Sequence, residues 1–254
     1  MLNSHLKKIL TINTEQDTII TLIGKMDLAE QHLTQTHPNL TSFLRTYKLV
    51  TETILLKQMK NSKYFNNSKK LEYLDLEFAK LYFDKLKKYL SSQQSPQPWQ
   101  GHFDYCKRTD SKAMVQILTG INTHINGDLL HALKKTNYNQ QKDFFKVNEI
   151  LLELTPKITS YLAFEKHDFY GLNAYIFNAI TVKEFNRTIV KWRENTWKNY
   201  QKTKNKSYTA IKKQTENQMN NANKQIINAF HTHNLNDKIH ILKILNKIQP
   251  KIID

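Results

Sequence analysis

Glycine is scarce: the 254-residue chain holds only five, against an average usage of about 7%. That leaves no material for a Gly-rich phosphate loop or a dinucleotide fingerprint, and it argues against the nucleotide-binding α/β folds. Cysteine is scarcer still. The single Cys106 excludes an internal disulfide, and with no Cys-x-x-Cys partner it reads as a partly buried structural thiol rather than a zinc or redox centre. No run approaches the roughly 18 apolar residues of a membrane span, and the first ten residues lack the apolar core of a signal peptide. A soluble, cytoplasmic protein is therefore expected. Period-two alternation and hairpin turns are missing as well, which removes the sheet.

Apolar residues instead recur at three and four along almost the whole chain, the signature of amphipathic helices. The expected fold is all-α, a single multi-helix domain of about eight or nine helices. Helices are placed at 15–36, where Gly24 is a weak interruption, at 38–60 with Pro38 in the first turn, and at 68–90 with Asp75 and Glu77 near the middle. Pro96 and Pro98 break the period in the connection 91–111. Two more helices are placed at 112–135 and at 141–165, where Pro156 is expected to kink or restart the helix. A long basic helix starts at 181 and runs, whole or broken, to 230, and Asn236-Asp237 caps a last short one.

The net charge is +16. Between 183 and 254 fifteen Lys/Arg stand against five Asp/Glu, so this stretch carries about +10 of it. The chain is accordingly divided into a helical core at 1–200 and a basic C-terminal helical extension at 201–254, packed on the core or peripheral to it. A basic surface attracts anionic small molecules or an acidic partner, and it also serves as a solvated face. Nucleic acid ranks behind these, because no recognised nucleic-acid motif is present.

Chemistry concentrates in Gly120-Ile-Asn-Thr-His-Ile-Asn-Gly-Asp128. At about 100° per residue, Ile117, Gly120, His124, Asp128 and His131 fall in one narrow stripe at the edge of the apolar face. Two of the five glycines lie in this helix, at about 1 kcal/mol each relative to alanine, which points to a close approach by a neighbouring helix or a ligand. His124 and Asp128, one turn apart, can ligate one divalent cation, zinc first among them. His131, Asp143, Asp75 and His102 are weaker candidates for the remaining ligands, with Asp104, His167 and Asp168 behind them. Asn122, Asn126, Asn148 and Trp99 are candidate ligand-binding residues. The alternative is that His124 bonds Asp128 or a facing helix in a buried polar network. His231 and His233 read as helix-end residues, and Trp192-Arg193 as packing or an anion clamp.

The segments 74–83, Pro98-Trp99, Gly120-Ile-Asn-Thr-His-Ile-Asn-Gly-Asp-Leu129, Asp143-Phe-x-x-Val-Asn148 and Trp192-Arg-x-x-x-Trp197 resemble, in this order, a family of bacterial helical proteins of unknown function. The likeness spans about 36–200 and implies an all-helical fold. Its signature polar residues would be Asn122, His124, Asn126, Asp128, Asp143 and Asn148. More loosely, His124-Ile-Asn-Gly-Asp128-Leu-Leu-His131 is similar to the His-x-x-x-Asp helix of the zinc-dependent phospholipases C and single-strand nucleases. That likeness implies a metal-assisted phosphoester hydrolase, with a reduced site here, since the later His-x-x-x-Glu of those enzymes is missing. The two functional expectations are thus a metal-dependent hydrolase-like protein acting on an anionic substrate, and a non-catalytic binding protein whose polar helix is a structural network or a small-ligand pocket.

Overall fold

The computed structural model describes residues 4–164 and 172–232, with side chains for 4–161, 185–228 and Phe230. Every regular element among them is helical: α1 (Ser4–Ile9), α2 (Ile19–Thr36), α3 (Thr41–Lys60), α4 (Ser68–Ser92), α5 (Trp99–Cys106), α6 (Ala113–Thr123), α7 (Leu129–Lys135), α8 (Gln141–Phe164), α9 (Leu172–Lys202) and α10 (Tyr208–Thr232). A short 3₁₀ turn, Pro38–Leu40, precedes α3. A π-helical turn, His124–Asp128, joins α6 to α7, so these two form one continuous rod and the described bundle has nine rods. No described helix is long and apolar enough to cross a membrane.

Local chemistry sets the ends. Thr18 and Thr21 form a reciprocal capping box, which starts α2 at Ile19 instead of Glu15. The Asn67 side chain accepts from the Lys70 amide and starts α4. Pro156 does not restart α8. It lies with Leu152 on the exposed face, so water can take the carbonyl that proline leaves unpaired. The long basic helix does break, at 203–207, where the Thr203 hydroxyl bonds back to the Tyr200 carbonyl at 2.6 Å and Ser207 caps the next helix through the Ala210 amide.

The core runs the length of the bundle. Trp99, Trp192, Tyr82, Tyr138, Phe83, Phe103, Phe144 and Phe185 are the largest fully buried side chains among the described residues. Helix α8 packs along α9, α2 along α3, and α10 against α6. The described part of the basic C-terminal region is therefore packed on the core, not peripheral: Ile211, Met219, Ala222, Asn223 and Ile226 of α10 are all buried. The expected last helix at Asn236-Asp237 lies outside the described residues.

The helical glycines separate by what surrounds them. A Cβ on Gly120 would stand 2.6 Å from the Phe43 ring, whereas one on Gly24 meets nothing within 4 Å. Gly120→Ala is expected to lower the melting temperature, because overpacking costs about 1–3 kcal/mol and exceeds the roughly 1 kcal/mol of helix propensity gained. Gly24→Ala should raise stability by about 0.5–1 kcal/mol. Thermal denaturation of the two variants checks both signs.

Candidate functional site

The widened turn decides the geometry of the polar helix. The Leu129 amide bonds to the His124 carbonyl, five residues back, so the Ile125 carbonyl loses its usual α-helical partner. The Thr196 hydroxyl from α9 takes it at 3.0 Å. The extra residue held in the turn rotates α7 out of the predicted stripe. His124 is buried, while His131 turns outward, its Nδ1 2.7 Å from the Tyr208 hydroxyl.

His124 and Asp128 do meet, with Nδ1 3.0 Å from Oδ2. Asp128 is otherwise fully engaged: Lys85 Nζ donates to Oδ1 at 2.5 Å and Trp99 Nε1 donates to Oδ2 at 2.9 Å. Burial opposes ionisation of Asp128, but Lys85 and His124 outweigh it and hold the carboxyl below its ordinary range. Burial also holds His124 below its ordinary range, and the Asp128 contact only partly offsets this. An ionised carboxylate at Nδ1 needs a proton there, so the neutral ring carries Nδ1–H and leaves Nε2 as a bare acceptor. The ring stacks on Phe78 at 3.5 Å and 8° and meets Tyr47 edge-on at 4.7 Å. Its Nε2 is buried with no hydrogen-bond partner among the described residues.

His124 stands in the wall of a partly open cavity of about 80 Å³ bordered by α3, α4, the rod of α6 and α7, α8 and α9. Most of the lining is apolar, including Phe78, Ile121, Ile125 and Val147. Tyr47, Asp75, Arg193 and Thr46 join His124 as its polar residues, the Thr46 hydroxyl donating to the Ser42 carbonyl at 2.9 Å. Asp75 lies 3.5 Å from the Tyr47 hydroxyl through Oδ1, and its Oδ2 has no partner among the described residues. Burial lifts this carboxyl to about 7, against the Tyr47 hydrogen bond and the Arg193 charge. Arg193 donates to Asn148 Oδ1 at 2.6 Å and to the Phe144 carbonyl at 3.1 Å, with its guanidinium 4.3 Å above the Phe144 ring.

The other sequence candidates are distributed through the bundle. Asp143 is fully buried and accepts the Asn66 and Asn67 amides at 2.8 Å each, which clamps the α3–α4 loop to the start of α8. His102 bonds to Thr119 at 2.9 Å and lies 3.7 Å from Cys106 Sγ. Burial drives this imidazole to about 3 and pushes the thiol well up, so both stay uncharged. Asp104 pairs with Gln100 at the surface. Asn122, Asn126 and Asn223 form a chain of amides between α6 and α10. His167, Asp168 and His233, and the side chain of His231, lie outside the described residues.

A zinc ion does not fit this donor set. His124 and Asp128 turn their facing atoms to each other, the Lys85 ammonium occupies the second carboxylate oxygen, and among the described residues no three His, Cys, Asp or Glu side chains come together around a cation position. Sequence reasoning missed Lys85, Phe78, Tyr47 and Arg193 as neighbours of His124. Lys85 and Phe78 lie seven residues apart in α4, on one face; that spacing was the available signal.

Residues 19–231 match the model of a family described as a family of unknown function, DUF5995. The chain belongs to that family. The matched stretch includes the residues that line the inner cavity and the polar helix. No curated protein and no solved structure matches the chain.

Proposed function

We propose that this protein is a helical binding protein whose inner cavity receives a small, mostly apolar molecule carrying one hydroxyl or N–H group. The observation that supports this reading is the pair of unpartnered buried atoms, His124 Nε2 and Asp75 Oδ2, in side chains lining a cavity that is otherwise largely apolar. Buried polar atoms are rarely left unmatched, because each costs about 1–3 kcal/mol. A bare imidazole nitrogen asks for a donor. A carboxyl lifted to about 7 is able to donate its proton or, once ionised, to accept one near neutrality. A hydroxyl serves both, since it donates once and accepts twice.

Size sets a further condition. A cavity of about 150 Å³ accommodates benzene, so about 80 Å³ suits three or four heavy atoms, either a short alcohol or the polar end of a longer molecule. The hydrolase expectation placed a metal on Asp128, where Lys85 now stands, and the geometry favours binding over that chemistry.

Isothermal titration with ethanol and 1-propanol, set against methyl ethers of equal size, tests the reading. The alcohols are expected to bind saturably and the ethers at least tenfold more weakly, because an ether has no hydrogen for Nε2. Equal affinity for alcohols and ethers, or no saturable binding by either, rejects it.

A further inference from the structure

The bundle brings three lysine-rich stretches to one end. The Asn66 and Asn67 amides bond to Asp143, which ties the α3–α4 connection to the start of α8. Tyr138 and Phe144 meet the Trp197 ring at 6.5 and 4.8 Å, so the α7–α8 connection and the end of α9 lie side by side. Residues 57–70, 134–146 and 198–206 therefore share this end. Together they hold thirteen lysines against a single acid, Asp143. That acid is fully buried and engaged by the two amides.

Few of these charges are matched within the protein. Lys57 pairs with Glu153 at 2.7 Å, Lys70 donates to Asn139 at 2.8 Å, and Lys146 donates to the Tyr64 carbonyl. Nine others, among them Lys60, Lys63, Lys69, Lys134, Lys142 and Lys204, are exposed and form no ion pair among the described residues. On the adjoining helical turns Glu72 accepts the Ile19 amide, and Glu149 and Glu194 are the remaining counter-charges. A surface that serves solubility alone intersperses the two signs. A field of one sign at one end attracts a polyanion.

The neighbouring side chains select which polyanion. The three stretches hold no arginine, and none of their aromatic rings is exposed. Bidentate reading of bases and a stacking platform for them are thus both missing. Exposed apolar side chains stand there instead: Leu56 and Met59, three residues apart in the last turns of α3, are 52% and 73% exposed. Lys60 and Lys63 follow them directly. We propose that this end docks on the surface of an anionic lipid bilayer, with its lysines at the headgroups and Leu56 and Met59 entering the interface beneath them. The lysine stems are long and apolar, so they lie along that interface while the ammonium groups stay in the headgroup layer. The inference is independent of the inner cavity, because no residue of its wall takes part.

Flotation of the full chain with phosphatidylcholine vesicles, with and without about 30% phosphatidylserine, at about 0.1 M and about 0.5 M salt tests it. Binding is expected to the phosphatidylserine vesicles at low salt, at least about tenfold tighter than to phosphatidylcholine alone. Lys60→Glu, Lys63→Glu and Lys69→Glu combined should weaken it about a hundredfold. The same change at Lys88, Lys107 and Lys112, exposed at the opposite end, should leave it within about threefold. Leu56→Ser with Met59→Ser keeps the charge and should weaken it about tenfold. No binding to the phosphatidylserine vesicles, or an equal loss from both lysine triples, overturns the inference. So does tighter binding of a mixed-sequence DNA duplex, or vesicle binding that the Leu56 and Met59 changes leave untouched.

Discussion

Asp128→Ala is expected to destabilise the protein by about 3–5 kcal/mol, the cost of stranding buried partners of a charged group. One carboxylate satisfies three donors: the Lys85 ammonium, the Trp99 indole N–H and His124 Nδ1–H. Trp99 is 0% exposed, so its N–H cannot turn to water, and its loss of a partner adds to that of the imidazole. Lys85 retains some access to solvent, which places the effect toward the lower end of the range. Urea denaturation of the variant measures it. A loss below about 1 kcal/mol would show that the cluster contributes nothing beyond a surface ion pair.

Asp75→Asn should change the pH profile of stability. Burial raises this carboxyl from 3.8 to about 7 in the folded protein, so between those values the folded state holds a proton that the unfolded chain has released. The contribution is therefore fully present below about 4 and is lost as pH rises through about 7, a span of roughly three pH units or about 4 kcal/mol. His102 works in the opposite direction. Its folded value of about 3 lies below 6.5, so its contribution is present above about 6.5 and lost as pH falls toward 3. Between about 4 and 6.5 these two slopes oppose each other. Asparagine removes the Asp75 slope alone, and the variant should gain about 4 kcal/mol relative to wild type between pH about 4 and 8. Parallel urea-unfolding profiles for the two proteins would mean that Asp75 titrates near its ordinary value.

The fold was legible because helical periodicity is redundant. Phe43, Leu44, Tyr47 and Ile54 of α3, or Leu71, Leu74, Phe78 and Leu86 of α4, repeat the same signal over many turns. A misjudged start at Glu15 or a proline at 156 does not erase it. The family was legible for a related reason: the spacing of Asn122, His124, Asn126 and Asp128 is compact and specific. The juxtaposition of His124 with Asp128 also survived, since four residues bridge a helical turn and a π turn alike. What failed was everything that depended on phase beyond the turn. One extra residue in His124–Asp128 sent His131 outward to Tyr208, and sequence spacing carries no mark of a π turn. The two glycines pointed correctly to close approach, but the approaching groups are Phe43 and Met219. Lys85 and Arg193 reach the site from separate helices, and long-range partners of that kind leave no local pattern. The basic face of α10 concealed a buried stripe in the same way: Met219, Asn223 and Ile226 recur at helical spacing among Lys, Asn and Gln.

The proposed binding at the inner cavity requires His124 to carry a bare, neutral Nε2, and long-range ¹H–¹⁵N spectroscopy of the histidine side chains measures this directly. His124 is expected to keep the neutral Nδ1–H tautomer as pH falls through the ordinary histidine value of 6.5, because burial depresses its pKa and Asp128 fixes its proton. Addition of 1-propanol should shift the Nε2 resonance upfield in a saturable way, as happens when a lone pair begins to accept a hydrogen bond, and the matched ether should leave it in place. A proton on Nε2 in the ligand-free protein, titration of His124 near 6.5, or an Nε2 resonance that neither compound moves would contradict the binding reading.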